Sequence, residues 1–182
     1  MTTVLWRRLD SPGLDRCVVE PTPDGFRLSG TAIVVDGDAS YEIRYAVLAD
    51  PSWNTVTVGA HVQGPSGDRR MALRSDGAGS WSMGDAPLIE LFGANDVDLA
   101  WTPATNTLPI RRLDLTVGAS SEIVVAYVDF PGHDVSRETQ RYSRLDESRY
   151  RFESDGFAAT LEIGPDGLVA DYEGLWDAVS WA

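Results

Sequence analysis

The sequence contains no lysine, so all 15 of its basic residues are arginine. This absence excludes catalysis through a lysine Schiff base and nucleotide binding through a P-loop lysine. There is one cysteine, Cys17, so no intrachain disulfide can form, which is typical of a reducing compartment. No run approaches the ~18 apolar residues of a membrane span, and the first residues do not resemble a secretory signal. The sequence therefore predicts a cytoplasmic protein without a membrane span.

Positive charge is scarce overall: 28 acidic residues stand against the 15 arginines, and the formal net charge is −13. Such a surface repels nucleic-acid phosphates and anionic bilayers at long range. We therefore expect neither nucleic acid nor a membrane surface as a partner. A local arginine cluster remains able to bind one anionic head group.

Histidine is also scarce, with only His61 and His133 in the chain. Neither belongs to a cluster with the spacing of metal ligands, so we predict no metal site and no other cofactor. Ser120 and Ser121 lack the flanking glycines of a nucleophile elbow. No motif identifies a catalytic residue.

What the sequence does contain is a strong β pattern. Apolar residues alternate with polar ones in short runs, as in Tyr41–Val47 and Phe157–Ile163. Asp-Gly pairs, which favour tight turns, recur between these runs, as at Asp24–Gly25 and Asp166–Gly167. We predict an all-β chain, with one domain over residues 1–182 that folds as a curved antiparallel sheet or barrel of many short strands.

An internal duplication is possible. The segment Arg69–Gly77 resembles Ser148–Gly156, with an offset of 79 residues (155 minus 76) between the two Asp-Gly turns. A strand ending in an Asp/Pro turn precedes each copy, at Tyr45–Pro51 and Val124–Pro131. Two related β units would explain this pattern, but Ser-Asp-Gly is also a common turn that unrelated hairpins share by chance.

Polar residues concentrate between residues 96 and 113. Asp96 and Asp98 alternate with Val97 and Leu99, so on a strand the two carboxylates would share one face, about 6.5 Å apart. The next segment reads as a loop stiffened by two prolines and rich in hydrogen-bonding side chains. These side chains are Thr102, Thr105, Asn106 and Thr107.

A strand is predicted to begin at Pro109. In that strand Arg111 shares the phase of Leu113 and Leu115, so its guanidinium would point inward, while Arg112 takes the opposite face. A buried guanidinium needs a partner, which leaves three interpretations. Arg111 could pair with Asp96 or Asp98 as a structural ion pair. Alternatively, Arg111 or Arg112 could bind a polar head group, or the two aspartates and an arginine could catalyse a reaction on a sugar or phosphate ester.

The same segment resembles the signature of a known family. Asp-Val-Asp-Leu at Asp96–Leu99 is followed by Thr-Pro-x-Thr-Asn-Thr-Leu-Pro-Ile-Arg-Arg-Leu at Thr102–Leu113. This pattern is similar to that of the bacterial family described as putative glycolipid-binding, once a family of unknown function. Further similar segments lie across nearly the whole chain: Leu5–Arg7, Tyr45–Thr55, Asp76–Trp81 and Gly167–Tyr172.

The resemblance implies an all-β fold and a glycolipid role, which rests on likeness to bacterial lipid-carrier lipoproteins. Unlike those carriers, the sequence shows no export signal or lipid-anchor cysteine, so we do not expect a periplasmic shuttle. We predict a small amphipathic, glycolipid-like ligand in an apolar groove with a polar mouth, and we leave the oligomeric state open. The predicted binding residues are Asp96, Asp98, Trp101, Thr102, Thr105, Asn106, Arg111 and Arg112.

Overall fold

The computed structural model describes residues 1–132, 134–164 and 166–182, and these form one curved sheet of 15 strands. The first eight strands are β1 (Thr2–Arg8), β2 (Gly13–Thr22), β3 (Gly25–Asp36), β4 (Ala39–Ala49), β5 (Thr55–Gly64), β6 (Gly67–Ser75), β7 (Trp81–Met83) and β8 (Ala86–Pro87). The remaining strands are β9 (Asp96–Leu99), β10 (Ser120–Val128), β11 (Val135–Arg144), β12 (Arg149–Ser154), β13 (Phe157–Ile163), β14 (Val169–Tyr172) and β15 (Trp176–Trp181). Two 3₁₀ helices, Ile89–Leu91 and Pro103–Asn106, and one α-helix, α1 (Thr107–Leu113), lie between strands.

The strand order is simple. Each of the strands β2 to β8 pairs with the preceding strand in antiparallel fashion, and each of β11 to β15 does the same. Strand β1 also pairs with β15, so the two ends of the chain meet in the middle of the sheet. Strand β9 is parallel to β10, because the long connection that contains α1 carries the chain back to the starting end. The prediction of an all-β, largely antiparallel curved sheet is confirmed.

The sheet curves strongly but stays open. Strands β8 and β9 form its two edges, and no ladder joins them in the described parts of the chain. Two hydrogen bonds link the β9 edge to the beginning of β5: Thr55 N donates to Asn95 O over 2.9 Å, and Val97 N donates to Thr55 Oγ1 over 3.1 Å. Of the two architectures predicted, the structure is the curved sheet and not the closed barrel.

Residues 101–110 fill the concave side of the sheet. Every residue of this inner segment is buried, and its side chains bond to strands from distant parts of the sheet. Thr102 contacts β2 and β4, and Asn106 contacts β11. The expected apolar groove inside the sheet is therefore occupied by the protein's own chain. Among the described residues, no helix has both the length and the hydropathy that a membrane crossing requires.

The prediction of a strand from Pro109 is wrong, because Thr107–Leu113 forms α1. Pro109 lies in the first turn of this helix, where a missing N–H breaks no intrahelical bond. Thr102 accepts a hydrogen bond from Ala104 N and precedes Pro103, which together form a common start signal for a helical segment. The alternation of Arg111, Leu113 and Leu115 was too short to distinguish a strand from a helix.

The repeat seen in the sequence continues in the strands. Shifting β4, β5 and β6 by the 79-residue offset gives 118–128, 134–143 and 146–154, whereas β10, β11 and β12 span Ser120–Val128, Val135–Arg144 and Arg149–Ser154. In both sets the three strands are consecutive neighbours in the sheet. This agreement supports an internal duplication.

Candidate functional site

Two cavities lie beside the inner segment. The first, which we call the aromatic–acidic pocket, has a volume of about 310 Å³. Its polar lining consists of Asp98, Thr102, Asn106, Glu138, Gln140, Ser154 and Asp155, and its apolar lining of Leu99, Ala100, Tyr127, Phe152, Phe157, Tyr172, Leu175 and Trp176. Three of the predicted binding residues, Asp98, Thr102 and Asn106, thus meet in one cavity.

Asp98 is the central acid of this pocket. Its carboxylate accepts hydrogen bonds from Gln140 Nε2 over 2.6 Å and from Thr105 Oγ1 over 3.2 Å. Both donors are neutral, so they orient the carboxylate without cancelling its charge. Burial raises the pKa of Asp98, because desolvation disfavours the charged form more than the two hydrogen bonds favour it.

Two further acids line the same pocket. Glu138 shares the inner face of β11 with Gln140, and Asp155 lies in the turn between β12 and β13. Burial raises the pKa of Glu138, and the charge of Asp98 raises it further. Among the described residues, no arginine or histidine lies within ion-pair distance of Asp98, Glu138 or Asp155.

Aromatic rings form the apolar part of the lining, which we call the aromatic wall. Phe152 lies at the centre, with ring centroids 6.2 Å from Phe157, 6.0 Å from Tyr172 and 5.2 Å from Tyr142. Tyr127 and Trp176 complete the wall, and Phe157, which is 43% exposed, forms its rim. Aromatic faces of this kind stack on the C–H faces of sugar rings and on apolar chains.

Thr102 and Asn106 form part of the floor, and the protein already uses most of their hydrogen-bonding capacity. Asn106 accepts a hydrogen bond from the Tyr142 hydroxyl over 2.8 Å and donates one to Pro103 O over 3.2 Å. One amide N–H of Asn106 remains available to a ligand. Thr102 donates its hydroxyl proton to Asp15, so it can act towards a ligand only as an acceptor.

Asp15 is a buried acid that the sequence interpretation missed. Its Oδ2 accepts hydrogen bonds from Thr102 and, over 2.8 Å, from the Tyr45 hydroxyl, which ties the inner segment to β2 and β4. Burial raises the pKa of Asp15 to about 6. The one signal in the sequence was that Asp15 shares the strand phase of Cys17 and Val19, and the apolar neighbour Leu14 obscured it.

The ion pair predicted for β9 exists, but with a different arginine. Arg112 Nη2 lies 2.5 Å from Asp96 Oδ2, and the Asp96 side chain is fully buried. The prediction that Arg111 points inward is wrong. Successive helical residues are rotated by about 100°, so Arg112 faces β9 while Arg111 turns to the surface. Asp96 and Asp98 do face the same side, as the alternation predicted, since Asp98 bonds to Thr105 of the inner segment and Asp96 bonds to Arg112 of α1.

Arg111 lies in the second cavity, which we call the arginine cleft. This cleft has a volume of about 550 Å³ and is lined by Trp53, Ile110, Arg111, Asp114, Arg144, Glu147, Ser148, Tyr150, Ile163, Gly164 and Gly167. Arg111 Nε donates to Asp166 O over 3.0 Å, and its guanidinium carbon lies 5.8 Å from the centre of the Trp53 ring. The two cavities share no lining residue. The structure therefore separates Arg111 from Asp98 and Asn106.

The remaining predicted residues have supporting positions. Trp101 is fully buried and packs edge-on against Phe130, so its ring is not presented to the surface. Thr105 is buried, and its hydroxyl group donates a hydrogen bond to Asp98. His133 lies outside the described residues, and the rest of the chain contains no group of three or more His, Cys, Asp or Glu side chains arranged to hold a metal ion.

The aromatic wall was not predicted, although the sequence contained each of its residues. Its five rings come from strands β10, β12, β13, β14 and β15, and only the sheet register brings them together. Within single strands, Phe152 with Ser154 and Glu138 with Gln140 do alternate on one face.

Comparison with known proteins agrees with this architecture. The family model described as "Putative glycolipid-binding" matches residues 3–178. The crystal structure of a DUF1089 family protein from Pseudomonas aeruginosa matches with a TM-score of 0.83 and 32% sequence identity over 91% of each chain. Comparison with curated proteins finds no significant match. Because the family model covers nearly the whole chain, this protein belongs to the family described as putative glycolipid-binding.

Proposed function

We propose that this protein binds a small amphipathic ligand with a glycolipid-like head group in the aromatic–acidic pocket. One observation carries the proposal: a single cavity joins a wall of five aromatic rings to hydrogen-bonding carboxylate and amide groups. A sugar ring presents apolar C–H faces and polar hydroxyl edges, and this cavity complements both. The description of the family supports the same ligand class.

The polar side of the pocket is suited to hydroxyl donors. Asp98 and Glu138 present carboxylate oxygens, and Asn106 retains one amide N–H. Hydrogen bonds from hydroxyl groups to carboxylates contribute about 1.5–3 kcal/mol each, more than those between neutral groups. Two such bonds would fix the orientation of a head group against the aromatic wall.

The size of the pocket determines which part of the ligand it encloses. A volume of about 310 Å³ lies at the small end of the range for small-molecule pockets. The inner segment fills the concave side of the sheet, so no acyl chain lies there. We propose that the head group occupies the pocket and that the tail leaves across exposed Phe157. Each methylene buried there contributes about 0.8 kcal/mol.

The arginines have other roles in this proposal. Arg112 is a structural partner of Asp96, and Arg111 belongs to the separate arginine cleft. The catalytic alternative needed Asp96 and Asp98 to act on one sugar or phosphate ester. It loses its basis, because Asp96 is held by Arg112 and does not line the pocket. Binding is therefore the function that the geometry supports best.

A titration with octyl glucoside below its critical micelle concentration tests the proposal. Trp176 lines the pocket, so its fluorescence should respond to the bound head group. Phe157→Ala should weaken binding about fivefold, because a stacking contact of roughly 1 kcal/mol is lost at the rim. The matched control is Ile33→Ala, which removes an exposed side chain on β3 and should leave the affinity unchanged.

Two results would contradict the proposal. One is the absence of saturable binding by the folded protein. The other is an equal loss of affinity in the Phe157 and Ile33 variants, which would mean that the glycoside binds non-specifically to exposed apolar surface.

A further inference from the structure

We infer that the head group selected by the aromatic–acidic pocket carries a positively charged amine. The inference rests on the proposed function, because it concerns the same pocket and specifies the chemistry of its ligand. Three features support it: the charges that line the pocket, the neutral partners of Asp98, and the arrangement of the rings.

The pocket is negatively charged and contains no cation of its own. Asp98, Glu138 and Asp155 line it, and its lining includes no arginine or histidine. By contrast, Asp96, which lies two residues before Asp98 on the same strand, is paired with Arg112. No cation in the lining offsets the carboxylates of Asp98 and Glu138, and a bound ammonium group would favour their charged form.

The neighbours of Asp98 leave its charge in place. Gln140 and Thr105 are neutral donors, and each bonds to a different oxygen of the carboxylate. The uncompensated charge also affects the tyrosines of the wall. Burial, together with the charges of Asp98, Asp129 and Glu138, raises the pKa of Tyr127 to about 12. Burial and the charge of Asp98 also raise the pKa of Tyr172.

The aromatic wall provides a second attraction for a cation. An ammonium group is attracted to the faces of aromatic rings, most strongly to tryptophan, and more so when water is excluded. Trp176, Tyr172 and Tyr127 line the same cavity as the acids. Rings and carboxylates that line one cavity complement an ammonium group, whereas a phosphate or carboxylate head group would be repelled.

A matched series of octyl glycosides tests this inference by isothermal titration calorimetry at pH 6.5. The series contains the glucoside, the 2-amino-2-deoxyglucoside, its N-acetyl derivative and the glucuronide. The amine should bind at least about tenfold more tightly than the neutral glucoside and the N-acetyl derivative, and the anionic glucuronide should bind most weakly.

Variants identify the source of the preference. Glu138→Gln and Asp98→Asn should each reduce the preference for the amine several-fold. Glu153→Gln is the control, because it removes one negative charge from an exposed position on β12 outside this pocket. If Asp98→Asn does not fold, the partly exposed Glu138 still provides the test.

The outcomes separate this inference from the proposed function. Equal affinities for the amine, the glucoside and the N-acetyl derivative would overturn the charge preference and leave glycoside binding intact. A preference for the amine that is unchanged in both Asp98→Asn and Glu138→Gln would also overturn it. No binding of any glycoside to the folded protein would instead overturn the proposed function.

Discussion

Asp96 and Asp98 are two residues apart on β9 and face the same side of the sheet, yet their surroundings differ completely. Asp96 is fully buried and paired with the guanidinium of Arg112. Asp98 borders a cavity and has only neutral hydrogen-bond partners. The protein supplies a counter-ion for Asp96, whereas we propose that Asp98 interacts with a ligand. Within the four residues of β9, the acid with a cationic partner is assigned a structural role, and the acid without one is the proposed ligand contact.

Removing the partner of Asp96 should have the largest effect. Arg112→Ala leaves a buried carboxylate unpaired, so we expect the free energy of unfolding to fall by about 3–5 kcal/mol. Urea unfolding followed by tryptophan fluorescence measures this loss. The control is Arg111→Ala on the same helix. Because Arg111 is exposed, its loss should cost less than about 1 kcal/mol. A similar loss in both variants would contradict the assignment of the ion pair.

Asp15 is a third buried acid. Among the described residues it has no ion-pair partner, and it lines neither of the two cavities. Its pKa is raised from 3.8 to about 6 by burial, so the folded protein binds more protons than the unfolded chain between these values. Stability should therefore decrease as the pH rises from about 4 to about 6, by about 3 kcal/mol from this group.

Asp15→Asn removes that dependence and keeps acceptors for Tyr45 and Thr102. The measurement is the difference in unfolding free energy between the wild type and this variant across the pH range. The difference should shift in favour of the variant by about 3 kcal/mol as the pH rises from about 4 to about 6. A difference that does not vary with pH would show that Asp15 does not titrate in this window.

Asp98→Asn should have the smallest effect on stability and a clear effect on binding. Burial raises the pKa of Asp98, so ionisation of this carboxyl opposes folding, and the neutral variant should melt at the same temperature or higher. The affinity for octyl glucoside should fall at the same time. A large drop in melting temperature would instead make Asp98 a structural residue like Asp96.

The contrast between the two acids also shows what the sequence was able to predict. Period-two alternation predicted β9 and the shared face of Asp96 and Asp98, because strand geometry is local. An ion pair with Asp96 or Asp98 was one of three interpretations of the next segment, because the predicted strand phase turned the guanidinium of Arg111 inward. The choice of Arg111 was wrong, because Thr107–Leu113 forms the helix α1 and not a strand. A helix of seven residues is stabilised by packing inside the sheet and not by its own sequence, so the local pattern did not predict it.

The pocket itself depends on long-range order. Its rings lie between Tyr127 and Trp176 and are assembled only by the register of five strands. The sequence around Phe152 or Tyr172 does not indicate which residue of a distant strand will lie beside it. The same holds for Asp15, whose burial follows from the inner segment that packs against β2. Individual elements are thus predictable from periodicity, whereas the site depends on how the curved sheet wraps around residues 101–110.

The most direct test of the account is a crystal structure of the protein soaked with octyl 2-amino-2-deoxyglucoside. We predict that the head group occupies the aromatic–acidic pocket, with its ammonium group within hydrogen-bond distance of Asp98 or Glu138 and its ring against the aromatic wall. A head group bound in the arginine cleft beside Arg111, with the aromatic–acidic pocket empty, would contradict the central claim.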